Sequence, residues 1–170
     1  MFWHGSERRT GFTLVEVLLV VAIMAILAAV ALPRMSGSSN DAKDATLMHN
    51  LAVLRKQIEL FKAQHGGKAP GWQGTNVTLH LQGFTNASGA ISFFASPNYP
   101  YGPYFLHGLP QNPFNSGTGF KASANPAGET PNHNLTASGL KVGWFYDKDT
   151  GRVAPNAEGS NANGVPRISF

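Results

Sequence analysis

The 170-residue chain contains no cysteine. Disulfides, thiolate zinc sites and cysteine nucleophiles are therefore excluded. Charge is also scarce: Asp, Glu, Lys and Arg make up 13% of the residues, about half the usual share. The net charge is +4, but the basic residues are scattered and form no stripe interleaved with aromatics, so nucleic-acid binding is not indicated. There is no phosphate-cradling Gly-rich loop with a Lys and no G-x-S-x-G motif. The six His residues lack metal-ligand spacing. The chain is not expected to be an enzyme, and no cofactor is implied by these patterns. What is abundant is Gly (19) and Pro (11), which predicts a loop-rich domain. The length suits one ordinary domain plus an anchor.

Residues 10–33 read Thr-Gly-Phe-Thr-Leu-Val-Glu-Val-Leu-Leu-Val-Val-Ala-Ile-Met-Ala-Ile-Leu-Ala-Ala-Val-Ala-Leu-Pro. Phe12–Leu32 is 21 residues, and a helix of that length reaches roughly 31 Å, one bilayer core. Thirteen of the 21 are Phe, Leu, Ile or Val. They favour insertion by roughly 4–8 kcal/mol, whereas Glu16 opposes it by at most about 3 kcal/mol. Insertion therefore tolerates Glu16 but does not explain it. Three readings are open: a signal peptide cut after Ala29-Val30-Ala31, a plain membrane anchor, and a specialised leader that ends at Gly11.

The last reading rests on Gly11, Phe12, Thr13, Leu14 and Glu16, with Pro33 at the far end. In type and spacing these residues resemble the N-terminus of type IV pilins and type II secretion pseudopilins. The resemblance implies cleavage between Gly11 and Phe12 by a prepilin peptidase, then methylation of the new Phe12 amine. Glycine suits a backbone that must lie close in a peptidase cleft. Arg8 and Arg9 favour a cytoplasmic leader. The freed amine of Phe12 would lie one turn before Glu16. Glu16 can offset it within its own chain, or, as the resemblance implies, pair with the amine of a neighbouring subunit and set the register of assembly. Pro33 removes an N–H and clashes with the Ala29 carbonyl, so the helix is expected to kink or melt near Ala29–Leu32.

Ser36-Gly37-Ser38-Ser39-Asn40 are poor helix formers and predict a weak helix or a hinge, with Asp41 and Asp44 suited to a fresh helix start. Leu47, Leu51, Leu54, Ile58, Phe61 and His65 recur at spacings of 4 and 3. They predict one apolar helical stripe that packs on a sheet, with Arg55, Lys56, Glu59 and Lys62 off it. His65-Gly66-Gly67, with Pro70 beyond, predicts the helix stop. Asn50–Pro70 resembles the second half of the long helix in G-type pseudopilins. Thr75–Phe84 alternates like a strand at Val77, Leu79 and Leu81, yet Thr75 could cap a short helix. The resemblance favours the helix.

Tyr99–Phe114 is Pro- and aromatic-rich. It resembles the G-P-Y-L…P-x-D-P-W-G block of major pseudopilins, with Asn112 in place of the acid and Phe114 in place of the Trp. A plain loop pinned by aromatics is the alternative. Leu140–Tyr146 and Arg152–Ala154 predict a hairpin across Asp147–Gly151, with Gly151 at positive φ. Asp147 and Asp149 could also open a calcium loop. Major pseudopilins bind calcium through an acidic run near the chain end, which is missing here, so calcium does not carry over residue by residue. Asn156–Phe170 is expected to be loose. Asn76-Val77-Thr78, Asn86-Ala87-Ser88 and Asn134-Leu135-Thr136 match the glycosylation triplet, which arises readily by chance in an Asn-rich chain. The absence of Cys speaks against the disulfide-closed loop of many type IVa pilins.

The expected fold is α+β: a long N-terminal helix packed on a small antiparallel sheet, as in pilins. The expected divisions are a leader at 1–11, an assembly helix at 12–33, its amphipathic half at 34–65 and a globular domain at 66–170. The resemblance implies a homopolymer in a periplasmic pseudopilus that drives type II protein secretion. The chain would sit in the bacterial inner membrane, N-terminus cytoplasmic and C-terminal domain periplasmic. Its partners would be the prepilin peptidase, other pseudopilins and a membrane platform with an ATPase. A type IV or competence pilin, the latter with DNA as a partner, and a tethered binding domain that never polymerises are the alternatives.

Overall fold

The computed structural model describes residues 11–170, with side chains inside the first helix described at 14–29 and from 39 onward. The chain divides into two compact units at Ser39/Asn40. Helix α1, Leu14–Gln64, contributes to both. It is helical through Pro33 and through residues 36–40, so the helix does not melt before Pro33 and makes no fresh start at Asp41. Pro33 costs about 3 kcal/mol and each Ser, Asn or Gly at most about 1 kcal/mol, and turns already formed on both sides propagate through them. The side chain of Pro33 lies outside the described residues, as does the leader with Arg8 and Arg9.

In the first unit, the described part of α1 is apolar on all sides and exposed. Among the described residues, no helix is long and apolar enough to cross a membrane. The predicted span, Phe12–Leu32, runs past the last described side chain of that stretch, Ala29.

In the second unit, the stripe behaves as its spacing predicts. Leu47, Leu51, Leu54, Ile58 and Phe61 are buried, and His65 follows them just past the helix end. Burying each of the five apolar side chains is worth about 1.5–3 kcal/mol. The helix closes with Gly66 and Gly67 at positive φ and the Gly67 N–H on the Lys62 carbonyl at 2.8 Å, a Schellman-type end. The short helix α2, Val77–Gln82, is the helical alternative for 75–84, but its cap is Asn76, whose side chain accepts from the Thr78 N–H, and not Thr75. Leu81 and His80 point into the core.

The strands are β1 (Phe84–Thr85), β2 (Ile91–Ser92), β3 (Gly119–Ala122), β4 (Thr136–Ala137), β5 (Leu140–Tyr146) and β6 (Val153–Pro155). β1 and β2 form a small antiparallel pair. In the main sheet β5 pairs antiparallel with β4 and β6 but parallel with β3. The sheet is therefore mixed where an antiparallel one was expected, because β3 comes from a distant loop that local hairpin signals cannot reveal. β6 also starts one residue later than predicted. The turn is as read: Gly151 has φ +80, and the Asp147 carboxylate accepts from the Asp149 N–H at 2.9 Å and the Thr150 hydroxyl at 2.5 Å.

Trp144 and Tyr146 of β5 join the helical stripe, Leu81, Tyr104, Phe105 and Val153 in one core. The indole N–H of Trp144 donates to the Pro110 carbonyl at 3.0 Å, and the Tyr146 hydroxyl donates to the Pro70 carbonyl at 3.0 Å. The aromatic loop is thus pinned, as its composition predicts. The chain end is not loose. Asn156 and Ala157 are buried, and Arg167 forms a buried ion pair with Asp44 of α1. A guanidinium that reaches a carboxylate 123 residues away outweighs the loop propensity of the Gly and Asn residues before it.

Candidate functional site: the start of the apolar helix

Gly11, Phe12 and Thr13 precede the helix, and α1 opens at Leu14. Thr13 caps it. Its carbonyl accepts from the N–H groups of Glu16 at 3.1 Å and Val17 at 3.3 Å, and its Oγ1 accepts from the Glu16 N–H at 3.2 Å. Thr13-Leu14-Val15-Glu16 therefore has the T-x-x-E spacing of a capping box, with one of its two bonds formed by the Thr13 hydroxyl. Sequence reasoning placed Thr13 in the motif but missed this role, although the spacing was there to be read. The carboxylate of Glu16 also lies in the first turn, where the helix dipole favours negative charge.

Gly11 is exposed, and among the described residues no atom lies within 4 Å of where its Cβ would be. Packing among the described residues therefore does not call for glycine there. Phe12 is 82% exposed, and Leu14, Val15, Leu18 and Leu19 are also exposed. An exposed helix that is apolar on all sides needs a lipid or protein environment. The structure brings Gly11, Phe12 and Glu16 together at one end of α1. Pro33 lies 17 residues beyond Glu16 in the same helix, outside this cluster.

Elsewhere the chemistry is structural. Among the described residues no group of three or more His, Asp and Glu is placed to hold a metal ion. Burial opposes ionisation of Asp147, but hydrogen bonds from the Thr150 hydroxyl and from the N–H groups of Asp149 and Thr150 outweigh it and hold its carboxyl below the usual range. Those donors belong to the turn itself. Asn112, Asn115 and Asn156 are buried and donate to carbonyls at 2.7–3.1 Å, among them those of Val142 and Gly143 in β5. Asn112 thus fastens the aromatic loop to the central strand.

Residues 7–32 match the prokaryotic N-terminal methylation motif. The type II secretion system core protein G of Klebsiella pneumoniae is 29% identical over 110 residues, which cover 65% of this chain and 72% of that protein. The chain thus carries the methylation motif and is similar to the type II secretion system core protein G. Its core protein G relative in Dickeya chrysanthemi is 24% identical over 64% of this chain and 65% of its own length. The prepilin peptidase-dependent protein D of Escherichia coli K12 is 27% identical over 51% of this chain and 63% of its own length. The chain thus spans just under two thirds of these last two relatives. No solved structure matches it.

Proposed function

We propose that this pseudopilin-like chain is a structural subunit of a periplasmic pseudopilus that serves type II protein secretion, and not an enzyme. The observation that carries this reading is the exposed apolar helix that opens on Thr13-x-x-Glu16 beside an accessible Gly11–Phe12 bond. In this reading 1–11 is the cleaved leader and 12–33 the assembly helix. The segment 34–65 is the amphipathic half, and 66–170 is the globular domain. A prepilin peptidase cuts after Gly11 and methylates Phe12. The chain waits in the inner membrane with its globular domain in the periplasm. It then joins copies of itself and other pseudopilins on a platform driven by an ATPase.

Glu16 in this scheme meets the Phe12 amine of a neighbouring subunit. An unpaired charge in a low-dielectric bundle is costly, so pairing selects one register. Pro33 removes one helical hydrogen bond and gives the helix a point at which it can lengthen under load. Mass spectrometry of the mature chain tests the first step. A methylated Phe12 terminus is expected, and a terminus at Leu32 would overturn the scheme.

A second reading, a type IV or competence pilin, shares the leader processing named in the prepilin peptidase-dependent protein D of Escherichia coli K12. A deletion strain separates the two. Loss of exoprotein release with normal twitching and DNA uptake supports secretion, and the converse supports the pilus.

A further inference from the structure

Two phenylalanines stand out on the surface of the second unit. Phe93 is 73% and Phe94 81% exposed, and Leu106 is 74% exposed. Large apolar side chains this open are either incidental or partnered, and three on neighbouring segments point to a partner.

Their segments are neighbours, because the loops that carry them pack on the end of α2 around Leu81 and Gly83. A Cβ on Gly83 would come 2.7 Å from Ile91 Cγ2 and 3.4 Å from the Ser92 carbonyl, and a Cβ on Gly102 would come 2.5 Å from the Gly83 carbonyl. The N–H groups of Tyr104 and Phe105 both donate to the Leu81 carbonyl at 3.0 Å, which sets Leu106 beside the same helix end. The Phe pair is also held in place. The Ser92 hydroxyl donates to the Phe94 carbonyl at 2.8 Å and accepts its N–H at 3.1 Å, and the Tyr99 N–H closes on the Ser96 carbonyl at 3.0 Å. An ordered loop presents these side chains at little entropic cost on binding.

The surrounding sequence indicates the kind of partner. No Asp, Glu, Lys or Arg occurs between Lys68 and Lys121, although both signs of charge lie on either side of that stretch. Depletion of charge with enrichment of aromatics marks the centre of protein–protein interfaces. It also suits one partner in particular. In a repeating array each copy carries the same patch, so any charge there recurs at every contact, and unmatched like charges repel. A neutral aromatic patch can be tiled without that penalty. A contact from one patch to a different surface of the next copy does not close on itself and propagates as a helical filament.

We propose that Phe93, Phe94 and Leu106 form a docking knob for a second copy of this chain, a lateral contact between globular domains that adds to the one made by the apolar helices. The proposal rests on the filament reading above. It is tested in the full-length chain in the membrane. Photo-crosslinking from Phe94→p-benzoylphenylalanine is expected to give a ladder at multiples of the chain mass. Phe93→Ser with Phe94→Ser is expected to insert normally, to keep its thermal unfolding and to lose sheared filaments. Leu106→Ser, on an independent loop, is expected to weaken assembly in the same way and guards against misfolding of the double variant. Wild-type filaments together with full assembly of the serine variants and no ladder would overturn the knob and leave the filament reading intact. A crosslink from position 94 to a protein of another mass would overturn the second copy as occupant. A ladder without wild-type filaments would overturn the filament reading and keep the contact. Neither ladder nor filament would overturn both.

Discussion

Arg167, near the chain end, clasps Asp44 in the middle of helix α1 with both arms of its guanidinium: Nε donates to Oδ1 at 2.5 Å and a terminal nitrogen to Oδ2 at 3.0 Å. Both residues are buried. The guanidinium also lies 4.2 Å from the ring centroid of Phe114 and donates to the Glu158 carbonyl at 3.0 Å. One residue thus ties the helix, the aromatic loop and the C-terminal segment together.

Asp44→Ala leaves that guanidinium buried without its counter-charge, which is expected to cost about 3–5 kcal/mol. The double change Asp44→Leu with Arg167→Met removes both charges and is expected to recover most of the loss, short of the bond to Glu158. Urea unfolding of the wild type, Asp44→Leu, Arg167→Met and the double variant measures the cycle. Equal loss in the single and double variants would mean that packing, and not the charge pair, carries the stability.

Asn112→Asp tests the amide cluster under β5. The Asn112 amide nitrogen donates to the carbonyls of Gly143 at 2.9 Å and Asn156 at 3.1 Å, while its oxygen accepts from the Phe114 N–H at 3.0 Å. A carboxylate keeps the acceptor but turns a second oxygen toward two carbonyls. The variant is expected to lose about 1–3 kcal/mol or more, the penalty for unpaired buried polar groups. Thermal unfolding reads it, and an unchanged transition would show that the cluster contributes nothing.

The parts of this molecule that local patterning governs were legible. Leu47 to His65 repeat with helical spacing, and that face is buried. Asp147–Gly151 carries turn chemistry and folds as a turn. The parts set by contacts across long separations were not. Asp44 reads as a helix-start residue until Arg167 is placed beside it. Asn112, Asn115 and Asn156 read as loop residues, since an amide carries no sign of burial in sequence. The parallel pairing of β3 with β5 follows from no hairpin signal. At the candidate site the family residues were legible as a motif, whereas Thr13 as cap needed the bond to Glu16.

His80 makes stability depend on pH. Its ring is buried, with Nδ1 accepting from the Gly71 N–H at 2.8 Å and Nε2 facing the Gly89 carbonyl at 3.0 Å, which is the neutral tautomer. Burial lowers its pKa below 6.5, the Gly89 carbonyl opposes this, and nearby His65 lowers it further. The unfolded chain therefore takes up the proton first. The contribution of His80 is complete above about pH 6.5 and is lost as pH falls through the folded pKa. Unfolding midpoints between pH 8 and 5 should fall toward acid, and less steeply in His80→Gln. Equal slopes would assign the effect to other groups.

Glu16 has two separable roles, a place in the first turn behind Thr13 and a negative charge. Glu16→Gln distinguishes them. Glutamine serves in a capping box as well as glutamate does, so helix initiation survives, but the charge is gone. Glu16→Val removes both. Loss of the Thr13 cap in Thr13→Val is expected to cost only about 0.5–2 kcal/mol, spent at a helix end that the apolar run after it can hold. All three variants are expected to reach the membrane, because insertion is favoured by the apolar residues regardless of position 16. If pairing with a neighbouring amine drives assembly, the Gln and Val variants both fail to form filaments and the Thr13 variant forms them. If capping is the role, Gln assembles like wild type while Val and Thr13→Val are impaired together. Sheared-filament yield against the membrane-inserted pool reads the difference, and wild-type yield from Glu16→Gln would sink the charge hypothesis.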